Sequence, residues 1–135
     1  MSAPTNYNET VIETFRKNGG KVQGGMNLLL LTTTGAKSGQ PRIAPLAYST
    51  DGDRYVVAAS KGGAPSNPDW YFNVVANPIV TIEVGDEKFQ ARATIADGAE
   101  RDRLYAAHAE LMPGFAEYET KTTRRIPIVL LERVA

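Results

Sequence analysis

The chain contains no cysteine, which excludes disulfides, thiolate nucleophiles, thioether-linked haem and cysteine-ligated zinc or iron–sulfur centres. It has a single histidine, His108, so no histidine pair is present to hold a metal, and a single tryptophan, Trp70. Charge of one sign is also missing: 15 basic and 15 acidic side chains cancel. No long-range field then gathers nucleic acid or anionic membrane, and any anion site must be local. No unbroken aliphatic run exceeds the four residues of 28–31, far short of the roughly 20 residues that a membrane-spanning helix needs. Residues 1–8 are polar and carry no basic flank leading into an apolar segment, unlike a signal peptide. These absences together lead us to expect a cytoplasmic protein with no integral membrane span and no nucleic-acid partner.

What is present suits one domain over residues 1–135, long enough for a single core. Hydrophobic residues make up 42% and charged ones 22%, a composition that folds rather than remaining disordered. Tyr7, Val11 and Phe15, with Ile12 beside them, mark an amphipathic helix closed by Gly19-Gly20. Leucines and threonines over 27–34 read as a strand, followed by a turn at 35–40. Strands over 43–50 and 54–60 flank Asp51-Gly52-Asp53, a hairpin signal, so three strands form a meander. Two glycines and two prolines make 61–68 an exposed loop. Asp69 caps a short helix through Trp70, Tyr71, Val74 and Val75 that stops at Asn77-Pro78; Tyr71 and Phe72 read as core packing. A second hairpin joins 79–84 to 88–95 about Gly85-Asp86. A helix opened by Asp97 or Gly98 turns Leu104, Tyr105, His108 and Leu111 inward and ends at Pro113-Gly114, and a strand over 126–134 finishes the chain. Six strands linked mostly by turns too short for parallel crossovers predict an α+β fold: an antiparallel barrel or split barrel with packed helices.

Four segments carry residues suited to chemistry. In Gly35-Ala36-Lys37-Ser38-Gly39-Gln40-Pro41-Arg42, two glycines free backbone amides while Lys37 and Arg42 flank them, a pattern that suits phosphate and equally describes a solvated hairpin. In Ala58-Ala59-Ser60-Lys61-Gly62-Gly63, small residues at a strand end allow close approach to a flat ring, or form a plain flexible loop. Trp70 and Asn73 sit about one helical turn apart and share a face. Phe115 and Tyr118, bounded by Pro113-Gly114 and Thr122-Thr123-Arg124-Arg125, form either a cap over a pocket or a solvated amphipathic turn. His108 reads as a packed or surface helix residue.

The ordered set Thr32-Thr33-Thr34-Gly35-Ala36-Lys37-Ser38-Gly39-Gln40-Pro41-Arg42, then Ala59-Ser60-Lys61-Gly62-Gly63, then Pro68 through Trp70 to Asn73 with Asn77-Pro78, and lastly Thr123-Arg124-Arg125-Ile126-Pro127-Ile128, closely resembles the deazaflavin-dependent nitroreductase family over nearly the whole chain. The resemblance implies a six-stranded split β-barrel of the flavin-mononucleotide-binding kind and a noncovalent coenzyme F-420, an 8-hydroxy-5-deazaflavin. Lys37, Ser38 and Arg42 would hold its phosphate end. Ala59, Ser60, Lys61, Gly62 and Gly63 would line its ring, with Trp70 and Asn73 at the border. Ala36 stands where many relatives carry a basic residue, and the polar Arg16, Lys17 and Asn18 depart from relatives with an apolar, membrane-associating N-terminus.

The activity implied is hydride transfer from the reduced deazaflavin to an electron-poor small molecule such as an enone, quinone or nitroaromatic. Phe115 and Tyr118 would contact that acceptor, and Ser60 and Tyr118 would stabilise or protonate it. Two rivals stay open at this point: an FMN-dependent split-barrel oxidoreductase, and a noncatalytic carrier of the deazaflavin or of an apolar ligand. A barrel edge or the first helix is the candidate interface for a homodimer.

Overall fold

The computed structural model describes residues 7–19, 27–63 and 66–134. The expectations for Met1 to Asn6, for Gly20 as a helix stop and for Ala64-Pro65 within the loop lie outside the described residues, as does the side chain of Tyr7. Among the described residues, four helices and seven strands follow in the order α1 (Tyr7–Lys17), β1 (Leu28–Thr34), β2 (Pro41–Ala47), β3 (Ser49–Asp51), β4 (Arg54–Ala58), α2 (Asp69–Ala76), β5 (Ile79–Val84), β6 (Glu87–Ala96), α3 (Gly98–Leu111), α4 (Gly114–Lys121) and β7 (Ile128–Arg133).

All seven strands belong to one antiparallel sheet ordered β2-β1-β5-β6-β7-β4-β3. Its two outermost strands, β2 and β3, are separated in the chain by Tyr48 alone. A sheet whose opposite edges are joined by one residue cannot lie flat, so it curls into a half-barrel. Tyr48 marks the corner, its N–H donating to the Asn27 carbonyl (3.1 Å).

This closure corrects two expectations. The segment 43–50, read as one strand, divides at Tyr48, giving seven strands rather than six. The expected meander is also broken, because β4 pairs with β3 and β7 and not with β2.

β4 from Val56 to Ala58 and β7 from Ile128 to Leu131 are apolar at every position because both their faces are covered there. Val57, Ala59, Val129 and Leu131 point inside the curl with Leu29, Leu31, Ile82 and Trp70. The alternate residues Val56, Ala58, Ile128 and Leu130 point outward under Leu104 and Tyr105 of α3. Burial of each large side chain contributes about 1.5–3 kcal/mol, so this central pair of strands anchors the fold.

Details of the helices follow from local chemistry. Pro68, not Asp69, occupies the N-cap of α2, with Asp69 in the first turn, where its charge complements the helix dipole. Phe72 is half exposed, contrary to the expectation of core packing, while Tyr71 is half-buried against the interior cluster. On α3 the inner stripe is Arg101, Leu104, Tyr105 and His108; Leu111 is 67% exposed, because the chain turns away at Met112 before that face reaches the sheet. Arg101 is buried yet satisfied. Its Nε and Nη2 donate to the Ile126 carbonyl (2.9 and 2.8 Å), and its guanidinium lies 4.5 Å from the centre of the Tyr105 ring. On α1, Phe15 is 1% exposed and holds the helix more firmly than the half-exposed Arg16–Glu83 ion pair (2.9 Å), since such pairs are worth about 1 kcal/mol or less.

Candidate active site

Strand β2 forms one wall of a groove whose other wall is the start of α2. At its outer end a cavity of about 850 Å³ is lined by Lys37, Ser38, Arg42, Ala44, Trp70 and Asn73, among others. At its inner end a smaller cavity of about 230 Å³ is lined by Leu46, Ser60, Lys61, Trp70, Phe115 and Tyr118, among others. Trp70 borders both, and β2 runs continuously from Arg42 at one to Ala47 at the other. Five residue steps of about 3.3 Å give a run of about 17 Å, with Lys37 and Arg42 beside Asp69 at one end and Lys61 beside Trp70, Phe115 and Tyr118 at the other.

The turn after β1 is built differently from a glycine-amide nest. The Gly35 N–H donates to the Gln40 carbonyl (2.8 Å) and the Gly39 N–H to the Gly35 carbonyl (3.0 Å). The Gln40 N–H goes to Ser38 Oγ (3.1 Å), and the Ala36 N–H to Asn73 Oδ1 (2.9 Å). Both glycine amides are thus consumed in shaping the turn. Among the described residues, the amides of Lys37 and Ser38 and the side chains of Lys37 and Arg42 have no partner. Those groups, with the Ser38 hydroxyl, are what the turn offers an anion.

Asn73 is buried, and its side-chain amide is committed inside the protein. It accepts from Ala36 and donates through Nδ2 to Thr33 Oγ1 (3.0 Å). Asn73 therefore clamps the basic turn to α2, a stronger role than bordering the cavity. Leaving such buried partners unpaired costs about 1–3 kcal/mol.

At the inner end, Ala59 follows β4 inside the core, fully buried, and Ser60 comes next with its carbonyl turned to the protein and its hydroxyl without a hydrogen bond among the described residues. Lys61 is the one described non-glycine residue with positive φ (48°), a conformation that costs about 1–2 kcal/mol and that marks many functional loops. Residues Lys61–Gly63 form a single 3-10 turn rather than a wholly exposed loop. Gly63 has φ of 84° and is pressed on α4, where a Cβ would lie 2.8 Å from Lys121 Cβ. Only glycine fits there.

The segment after Pro113 is a helix, α4, and it delivers Phe115 and Tyr118 to the cavity. Phe115 is held from behind: its carbonyl accepts from Tyr105 Oη (2.7 Å), and its ring meets His108 edge-on at 4.4 Å and Tyr118 at 5.3 Å. Desolvation pushes the Tyr105 phenol up to about 12, so it stays a neutral donor.

His108 has no exposed surface, and Nδ1 lies 2.7 Å from Ser49 Oγ. Burial pulls its pKa down to about 4, so it stays neutral in the fold. The unfolded chain takes up a proton there from about pH 6.5 downward. His108's contribution to stability is therefore complete above about pH 6.5 and is withdrawn as pH falls toward 4, by about 3 kcal/mol in all. Chemical denaturation between about pH 7 and about pH 4 should show this loss in the wild type and a flatter profile in His108→Gln; equal slopes would contradict the assignment.

Of the residues expected at the site, Lys37, Ser38, Arg42, Ser60, Lys61, Trp70, Asn73, Phe115 and Tyr118 line the two cavities, whereas Ala59 is buried in the core, Gly62 lies in the 3-10 turn and Gly63 packs on α4. Sequence reasoning passed over the β2 residues Pro45, Leu46 and Ala47, and also Arg124, whose guanidinium donates to Asn67 Oδ1 (2.7 Å) and the Ser60 carbonyl (2.8 Å). The signal for Arg124 was its place in the motif before Ile126-Pro127.

The F420H(2)-dependent quinone reductase family model matches residues 7–133. An F420H(2)-dependent quinone reductase of Mycobacterium tuberculosis is 42% identical over 118 residues, 85% of this chain and 79% of that protein. Among solved structures, an F420-H2 dependent reductase is 44% identical over 78% of this chain and 94% of its own, with a TM-score of 0.72. A chain solved as a domain-swapped dimer is 40% identical over 90% and 91% of the two, with a TM-score of 0.74.

Proposed function

This chain belongs to the F420H(2)-dependent quinone reductase family, and on that premise we propose that its groove holds coenzyme F-420 with the phosphate at Lys37, Ser38 and Arg42 and the ring beside Ser60, Lys61, Trp70 and Tyr118. The protein is an oxidoreductase that uses reduced coenzyme F-420 to reduce a quinone. The observation that carries the placement is the polarity of the groove. Two cations without partners among the described residues stand about 17 Å along β2 from an aromatic pocket with a spare hydroxyl, a match for a ring joined to an anionic tail.

When bound, the reduced deazaflavin supplies two electrons and one proton to the acceptor as a hydride. The side chains do the rest by position and electrostatics. A quinone that gains a hydride carries negative charge on oxygen and needs one more proton to become the hydroquinone. Tyr118 Oη would give that proton and recover it from solvent, while the Ser60 hydroxyl would donate a hydrogen bond to the charged oxygen. Trp70 and Phe115 cover the pocket and exclude water.

Nitroaromatics and enones belong to the same proposal, since each gathers negative charge on oxygen after hydride arrival. So do a split-barrel description of the fold, one domain over residues 1–135, and a cytoplasmic location. Among the described residues no helix is long and apolar enough to cross a membrane. The relative solved as a domain-swapped dimer supports a homodimer.

Titration of the protein with oxidised coenzyme F-420 and with flavin mononucleotide, read by quenching of Trp70, tests the cofactor placement. Tighter binding of coenzyme F-420 is expected. Equal or tighter binding of flavin mononucleotide would favour the FMN reading instead.

A further inference from the structure

Opposite β2, the inner end of the groove is walled by three distant parts of the chain: Ser60 after β4, Pro68 and Trp70 at the start of α2, and Phe115 and Tyr118 of α4, whose C-cap is Thr122. Arg124 joins all three. Its own N–H donates to Thr122 Oγ1 (3.2 Å), while Nη1 reaches Asn67 Oδ1 (2.7 Å) and Nη2 the Ser60 carbonyl (2.8 Å). It does not line either cavity, so its influence must pass through the residues it holds. Asn67 leads directly into Pro68, the N-cap of α2, and on to Trp70.

We propose that Arg124 is a positioning residue that sets the width of the ring-binding end of the groove by fixing Ser60 and the start of α2 at a constant separation. The inference rests on the reading of this groove as the cofactor and acceptor site. Arginine suits the task because its planar guanidinium presents several donors in a rigid fork, whereas a lysine ammonium is a single point on a flexible stem. Half-burial shields these charge-assisted bonds from water, which strengthens them. Small misplacements of groups around reacting atoms lower rates by as much as about 10²-fold.

The test uses the full chain with Arg124→Ala, Arg124→Lys, Asn67→Ala and the Arg124→Ala/Asn67→Ala pair. Without cofactor, acrylamide quenching of Trp70, which is 8% exposed, should rise in Arg124→Ala and less in Asn67→Ala. With reduced cofactor and a quinone, kcat should fall roughly tenfold to 10²-fold in Arg124→Ala, with a change in cofactor Kd of no more than about threefold. The double variant should be no worse than Arg124→Ala, because both changes cut one link. Added guanidinium should restore part of the turnover and part of the protection of Trp70. Wild-type quenching and kcat in Arg124→Ala, or strictly additive losses, would overturn the proposal. Should Arg124→Ala fail to fold, wild-type quenching and kcat in both Arg124→Lys and Asn67→Ala would overturn it equally. A wild-type protein that oxidises no reduced cofactor would refute the reading of the groove instead, while the quenching comparison would still judge the clamp.

Discussion

Conversion of Tyr118 to phenylalanine is expected to lower quinone turnover roughly 10²-fold to 10⁴-fold, the usual range for general acid assistance, with cofactor affinity nearly unchanged. The ring and its packing on Phe115 survive the change, so only the hydroxyl is removed. That hydroxyl has no hydrogen bond among the described residues and belongs to a side chain lining the inner cavity, which leaves it available to a reduced acceptor. Were Tyr118 only a cover over the pocket, the loss would be far smaller. Steady-state kinetics at saturating reduced cofactor separates the two roles. Wild-type turnover in Tyr118→Phe would remove it from the chemistry and leave Ser60, backbone or water as the source of the proton.

The second large effect is expected at the opposite end of the groove. Lys37→Ala or Arg42→Ala should each weaken cofactor binding by about 1.5–3 kcal/mol, the worth of a hydrogen bond to a charged group. The double variant should lose roughly 10²-fold to 10⁴-fold in affinity if the two contacts are independent. Stability should hardly move, because both side chains are exposed and make no ion pair among the described residues. The weakening should shrink at high salt, where screening has already reduced the wild-type attraction. Unchanged affinity in the double variant would reject the phosphate assignment, and a matching fall in melting temperature would point to a structural role for the turn.

Local patterns in the sequence carried much of this. The alternation in β5 and β6, the Gly85-Asp86 turn and the apolar runs of β4 and β7 were legible because each depends on neighbours within a few residues. The closure of the sheet was not, since it depends on β4 meeting β7 rather than β2, a choice made by packing across the whole chain. The same limit governed the polar side chains. Asn73 was recognisable as part of the groove, yet its partner Ala36 lies 37 residues away. Arg124 and the Ser60 carbonyl are 64 residues apart. Residue type announces that a side chain can donate or accept, but only the fold selects its partner. The glycine turn shows the converse: its residues stood out in the sequence, while the two glycine amides expected to face a ligand are spent on the turn itself. Phe72 and Leu111, apolar but exposed, were misplaced for a related reason, as helical spacing gives a face without saying how far the neighbouring sheet extends.

The most direct measurement is turnover itself. Purified protein is mixed with reduced coenzyme F-420 and a quinone, and recovery of the oxidised cofactor's absorbance is followed beside reactions lacking enzyme or given reduced flavin mononucleotide. The expected result is many turnovers per protein molecule that require coenzyme F-420 and the quinone together and fall sharply in Tyr118→Phe. A folded protein that leaves the reduced deazaflavin unoxidised, or that works equally well with reduced flavin mononucleotide, would contradict it.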